Sequence, residues 1–248
     1  MPGVFVLLPP SETKAIGGTG PVLELAALRF PELSDARESL IEVVTALCSD
    51  LPAARQALSV AASKDAEISG TAALRQTPTM PALLRYTGVL YEALDVRALP
   101  PAARARATER LLITSALFGM VGGDDAVPAY RLSAGSAIPG LPGLPTFWRP
   151  RLAAPIATLG RPLVDLRSGA YAAFAPIADA ITVRVVTENS SGQRTVVSHF
   201  NKATKGLLAR ALVTSRAEIA GIGAVARVAR KAGLRVERTG ERSLEIIT

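Results

Sequence analysis

The side chains best suited to chemistry sit where apolar stretches of this sequence end. Residues 3–8, GVFVLL, lead into Ser11, Thr13 and Lys14. Residues 111–115, LLITS, end on Ser115 with Gly119 close behind. PLVDL carries Asp165 and is followed by Ser168 and Tyr171. Short apolar runs bounded by turn residues read as buried strands, and ligands of open α/β sheets collect outside the carboxyl ends of strands. If the three strands are parallel neighbours, these hydroxyls, the amine and the carboxylate share one cleft. Taken singly, each cluster reads equally well as loop and cap chemistry. Tyr130-Arg131 follows the turn Gly122-Gly123-Asp124-Asp125 and sets a guanidinium beside a ring, a pairing suited to phosphate or carboxylate. The alternative is a lock between Arg131 and Asp124 or Asp125. Lys14, Tyr130 or Tyr171 would act as general acid or base if burial shifts its pKa.

The best single anion site is expected at residues 198–206, SHFNKATKG, where a helix begins, the alternative being an ordinary solvated face. A helix N-terminus presents unpaired N–H groups and a partial positive charge. Lys202 and Lys205, three residues apart, are expected on one side of it, ahead of Gly206. Lysines in a first turn oppose the macrodipole, which points to an anionic ligand. The segment lacks the spacing of a Walker loop. Phe147-Trp148, with Arg149 and Arg151 after it, reads either as a stacking platform for bases or as core. Gly221-Ile222-Gly223 before AVARVARKAG fits a helix-hairpin-helix only superficially. His199 is the one histidine and Cys48 the one cysteine. His199, beside Phe200 at an expected sheet edge, reads as structural, and Cys48 as core. No metal site, haem motif or Ser-His-Asp triad is expected, and no cofactor.

The elements that must position these groups follow from periodicity. Residues 34–48 predict a helix, with Ser34 as N-cap and Leu40, Val43, Val44 and Leu47 on one face. A second helix is expected over 52–62, and PALLRYTGVLYEAL reads as helical. Residues 136–146, dense in Gly and Pro, predict a long surface loop. ITVRVVT, the turn ENSSGQ and RTVVSHF predict a hairpin, followed by a helix over 202–215, a helix over 224–231 and a final pair of strands. Mixed strands and helices with hairpins only late predict an α+β, or mixed α/β, fold: one compact domain over residues 1–248, with a central mixed sheet and flanking helices.

Composition sets limits. The chain has 248 residues and is 49% hydrophobic, enough for a sizeable core and too apolar for disorder. Mean hydropathy is +0.29, yet charges interrupt every apolar run well before the roughly 18 residues a membrane span needs. The start, MPGVFVLLPPSETK, reads as strand and loop, with none of the marks of a signal peptide. A lone cysteine suits a reducing cytoplasm. Net charge is +7, and it is unevenly spread: residues 1–148 hold 12 Lys+Arg against 14 Asp+Glu, and residues 149–248 hold 16 against 7. A polyanion would meet the second part first.

These segments, in this order, resemble the YaaA family of peroxide-stress proteins. PPSETK is similar to that family's loop after the first strand, and TGVLYEAL to its G-x-x-Y-x-x-L helix. TSALFGMVGGDDAVPAYRLSAG resembles its most specific block, FWRP its F-W motif, VDLRSGAYAAF its strand-helix segment and SHFNKATKGLLARAL its lysine-bearing helix. Asp165, Gly169-Ala170 and Thr204-Lys205 depart from the family pattern. The resemblance implies a cytoplasmic oxidative-stress protein with a positively charged cleft, binding DNA or another phosphate-bearing ligand. By position it implies Ser11, Lys14, Tyr91, Tyr130, Arg131, Trp148, Ser168, Tyr171, Lys202, Lys205 and Gly206 as site residues. An enzyme acting on a small anionic, nucleotide-like substrate in the same cleft is the alternative.

Overall fold

Residues Phe5–Leu8 form β1, fully buried, because four consecutive apolar side chains leave neither face for water. The computed structural model describes residues 3–160, 162–189, 191–196 and 198–248, the side chains of residues 198–200 excepted. After β1 come α1 (Ser34–Cys48), α2 (Leu51–Leu58) and α3 (Asp65–Ala72), then β2 (Met80–Pro81), α4 (Ala82–Arg85), α5 (Val89–Leu94) and α6 (Pro101–Arg110). The middle of the chain holds β3 (Leu111–Ser115), β4 (Gly119–Gly122), β5 (Ala126–Val127), α7 (Leu144–Ala157), β6 (Leu163–Asp165) and α8 (Gly169–Ala172). The last part holds β7 (Ile181–Glu188), β8 (Arg194–Thr195), α9 (Ser198–Thr214), α10 (Ile222–Lys231), β9 (Arg235–Arg238) and β10 (Ser243–Ile247).

The principal sheet runs β4-β3-β1-β6-β7-β10-β9, with β8 paired to β7, and β2 and β5 form a separate small ribbon. β1 is parallel to β3 on one side and to β6 on the other. β6, β7 and β10 continue the parallel run, and antiparallel β4 and β9 close the ends. This is the mixed α/β architecture expected from the sequence, with one continuous apolar core. No helix among the described residues is long and apolar enough to cross a membrane. Cys48 lies in the core, where burial pushes its thiol up to about 11.

Several expectations are corrected. α1 spans the residues expected, but Leu33 is its N-cap and Ser34 lies inside the helix. The expected surface loop 136–146 gives way to α7 at Leu144, a helix masked in the sequence by Pro150 and Pro155 within it. Each proline deletes one helix N–H, and the side of α7 that carries Leu144, Phe147, Trp148 and Leu152 still buries itself. PALLRYTGVLYEAL is not one helix. It breaks between α4 and α5 at Tyr86-Thr87-Gly88, where Gly88 takes φ +91°, a region few side chains tolerate. The hairpin after β7 forms, but its second strand is only Arg194–Thr195, and α9 already starts at Ser198.

Candidate functional site

The parallel pairing of β1 with β3 and β6 brings the carboxyl ends of all three to one edge of the sheet. The loop after β1 is held there by backbone pairing with the break between α4 and α5. Ala15 N–H donates to the Arg85 carbonyl (2.9 Å), and Lys14 bridges Tyr86. Arg85, fully buried, secures the same junction by donating to the carbonyls of Val127 (3.1 Å) and Pro78 (3.1 Å). Ser11 accepts from Thr87 N–H at 3.0 Å. Lys14 therefore has little freedom, and its side chain is directed inward.

Inside lies a cage of aromatic rings. The Lys14 ammonium sits 4.2 Å from the centre of the Tyr130 ring and 5.6 Å from that of Tyr86. Behind it the Tyr86 and Tyr130 hydroxyls share a hydrogen bond of 2.9 Å, and Tyr130 shares another of 2.8 Å with Ser115 at the end of β3. Ser115 in turn accepts from Phe118 N–H at 3.0 Å. Tyr91 stacks on Tyr86 with centroids 5.8 Å apart and donates to the Pro9 carbonyl. Burial raises the pKa of Tyr86, and that of Tyr91 and Tyr130 well above the ordinary phenol value. All three are neutral donors at any physiological pH.

Lys14 shifts the other way. Burial first, then the charge of Arg131, pushes its amine down to about 7, against the opposing pull of Glu67 and Glu12. The ring faces repay only part of the lost hydration, and the remaining partners are the Ser11 and Glu12 carbonyls at 3.1 and 3.4 Å. A lysine so placed is part amine and part ammonium at neutral pH, able to accept a proton or to attack an electrophile.

Arg131 closes one side of the cage. It does not pair with Asp124 or Asp125. Its two terminal nitrogens meet Glu67 of α3 (3.2 Å) and Glu12 (3.4 Å), and its backbone N–H donates to Thr71 (2.8 Å). Asp125 is spent elsewhere, accepting from the backbone N–H groups of Arg29 and Gly122. Tyr171 belongs to the same group. It accepts from Ala134 N–H at 3.2 Å, and its phenol, raised by burial, responds also to the charges of Glu12 and Arg131. Glu12, Glu67 and Tyr86 carry no signal in the sequence that marks them as partners of Lys14, because only the folded chain brings them together.

Other residues expected in the site lie outside this cage. Trp148 has no exposed surface and donates its indole N–H to the Ala116 carbonyl at 2.8 Å, so it is core and offers no stacking face. Ser168 is exposed as N-cap of α8, without a side-chain cap bond. Lys202 and Lys205 do not act together. Three residues advance a helix by about 300°, leaving them about 60° apart, and the boundary of the core falls between them. Lys202 is exposed, whereas Lys205 is only 9% exposed and donates to the Arg167 carbonyl at 3.2 Å. Burial lowers the Lys205 pKa, and Asp165, itself bound to the Arg167 guanidinium, opposes the shift. The side chain of His199 lies outside the described residues. No group of three or more His, Cys, Asp or Glu suited to a metal occurs among the described residues.

Gly206 acts in packing. A β-carbon there would stand 2.2 Å from the Leu90 carbonyl oxygen and 2.8 Å from Ala93 Cβ, so its absence lets α9 press directly on α5, the helix of Tyr91. Gly206→Ala is expected to lose about 1–3 kcal/mol of stability despite the better helix propensity of alanine. The midpoint of urea unfolding should fall with little change in slope. An unchanged or higher midpoint would show that the two helices are not locked at this point.

With this geometry in place, comparison with known proteins decides the family. A family model described as "Peroxide stress protein YaaA" matches residues 4–238. The chain belongs to the YaaA family. A UPF0246 protein of Corynebacterium efficiens is 46% identical over 238 residues, covering 94% of this chain and 95% of that protein. A UPF0246 protein of Streptomyces coelicolor is 38% identical over 239 residues, with 94% and 92% covered. An uncharacterized protein of Campylobacter jejuni is 35% identical over 138 residues, 54% of each chain. The family resemblance read from the PPSETK, Tyr130-Arg131 and α9 segments is thus correct.

Proposed function

We propose that this YaaA-family chain serves peroxide stress through a small-ligand site in which Arg131 holds an anionic group beside Lys14. The observation that carries this reading is the Lys14 amine over the Tyr130 ring at 4.2 Å, its charge suppressed by burial and by Arg131. A polyanion groove needs exposed, permanently charged side chains that neutralise phosphates. Here Arg131 is 13% exposed and engaged with two carboxylates, and Lys205 is turned inward. A titratable amine among neutral phenols suits proton transfer or covalent chemistry on one small substrate better than attraction of a polymer. Titration with inorganic phosphate and with acetate tests the reading. Arg131→Met and Lys14→Met should each weaken anion binding at least tenfold without loss of fold, and binding unchanged in both variants would end it.

Nucleic-acid binding remains a second reading, favoured by a different observation. α10 exposes Arg227, Arg230 and Lys231 behind Gly221-Ile222-Gly223, in the part of the chain that carries the excess of positive charge. On this reading duplex DNA binds with an affinity that falls steeply with salt, by about 0.9 in log–log slope for each phosphate neutralised. Arg227→Glu with Lys231→Glu should flatten that slope while Lys14→Met leaves it alone. A shallow slope in the unaltered protein would exclude it.

A further inference from the structure

Glu12 lies on the short loop that carries Lys14, and its side chain is 75% exposed while it reaches the nearly enclosed Arg131 at 3.4 Å. Glu67 holds the other terminal nitrogen of that guanidinium at 3.2 Å from the first turn of α3. The two carboxylates are unequal partners. Glu67 is built into a helix and also paired with Lys64, whereas Glu12 has solvent around it and Arg131 as its ion-pair partner. The Glu12 charge is felt by Lys14 as well, so one exposed carboxylate acts on both Arg131 and Lys14.

We infer that the Glu12 carboxylate occupies the seat of a substrate carboxylate, and that the substrate is a 2-oxo acid whose carbonyl carbon is attacked by the Lys14 amine. The inference rests on the reading above that this cage binds a small anion, and it names the class of ligand. Arg131 supplies the planar fork that a carboxylate fits, and a 2-oxo acid places its carbonyl on the adjoining carbon, next to the amine. A phosphate would use Lys14 only as a partial counter-charge, whereas desolvation and a neighbouring cation also make the amine a nucleophile, a property that a carbonyl carbon draws on.

The step balances without an oxidant or reductant. The Nζ lone pair forms a C–N bond as the carbonyl π pair moves to oxygen, which takes up a proton. Nitrogen then gives up one proton to reach the carbinolamine, the hydroxyl takes up a second proton and leaves as water while the nitrogen lone pair closes C=N, and the protonated imine releases its remaining N–H proton, so that amine and ketone become imine and water. The linked hydroxyls of Ser115, Tyr130 and Tyr86, two of them neutral phenols on the rings that face the amine, are the groups proposed to relay those protons.

Pyruvate with sodium cyanoborohydride near neutral pH is the probe, read by intact mass and peptide mapping. Lys14 should be alkylated at least tenfold faster than any of the other four lysines, with a rate that saturates in pyruvate. Butanone, which lacks the carboxylate, should not saturate. Glu12→Gln, which removes the internal competitor, should raise the adduct rate severalfold at low pyruvate, and Arg131→Met should abolish saturation with the fold intact by circular dichroism. Labelling spread over all lysines, or a Glu12→Gln variant no faster than the parent, would overturn the inference. Calorimetric binding of pyruvate that depends on Arg131 without any Lys14 adduct would sink the imine and leave the anion site standing. Neither binding nor adduct would sink both.

Discussion

Against a Lys14→Met variant, the unaltered protein is expected to gain relative stability as the pH rises from 7 to 10. The sign follows from proton counting. The unfolded chain keeps the Lys14 proton up to about 10.5, and the folded chain sheds it above about 7. Between those values the unfolded state binds more protons, so stability rises with pH, by up to about 1.4 kcal/mol per unit. Below pH 7 both states are protonated and the difference between the two proteins is flat, with the full cost of burying the ammonium borne by the parent. The caged tyrosines act in the opposite sense, since their raised pKa values make the unfolded chain release protons first near pH 10. Both proteins carry them, so their contribution largely cancels in the comparison. Methionine fills the space of the lysine stem without a charge, and should therefore leave a fold more stable than the parent at pH 6 and deficient in anion binding. Urea unfolding of both proteins at pH 6, 7.5 and 9 measures the effect. A difference independent of pH would mean that the Lys14 amine is solvated like any surface lysine.

The second large effect belongs to Arg37, far in sequence from the cage but fully buried under β4. Its guanidinium donates to four backbone carbonyls: Phe118 (3.1 Å), Phe30 (3.0 Å), Arg29 (2.8 Å) and Met120 (2.8 Å). Burial lowers its pKa to about 10, with Asp125 and Glu32 pulling it back, so it remains charged at neutral pH. Arg37→Met is expected to cost roughly 3–5 kcal/mol, because it strands several buried acceptors at once. Arg37→Lys should recover only a fraction, since three donors on a point charge cannot span a planar fork. The loss would be read as a lower urea midpoint. A decrease under about 1 kcal/mol would show that water reaches these carbonyls when the side chain is removed.

The mixed fold was legible in the sequence because its main elements carry local patterns. FVLL is apolar throughout and LLITS opens with three apolar residues, as strands covered on both faces tend to, and residues 34–48 repeat their apolar positions at helical spacing. The clustering of Ser11, Lys14, Ser115 and Tyr171 was legible only as a condition, that β1, β3 and β6 run parallel and adjacent, and they do. α7 was hidden because Pro150 and Pro155 are local breakers whose cost is offset by burying Trp148 and Leu152, a gain no window of sequence contains.

Residue types and order alone determined the family, the alternation of strands with helices, and the presence of a lysine, tyrosines and an arginine in segments that end strands. Tertiary structure alone decided what those groups are. Whether a lysine is a cation or an amine depends on what surrounds its nitrogen, and the Tyr86 and Tyr130 rings come from positions 72 and 116 residues away from Lys14. Whether two lysines three residues apart share a ligand depends on where the core boundary crosses α9, and it passes between Lys202 and Lys205. Charge state, burial and pairing are properties of the space around an atom, and that space is assembled from distant parts of the chain.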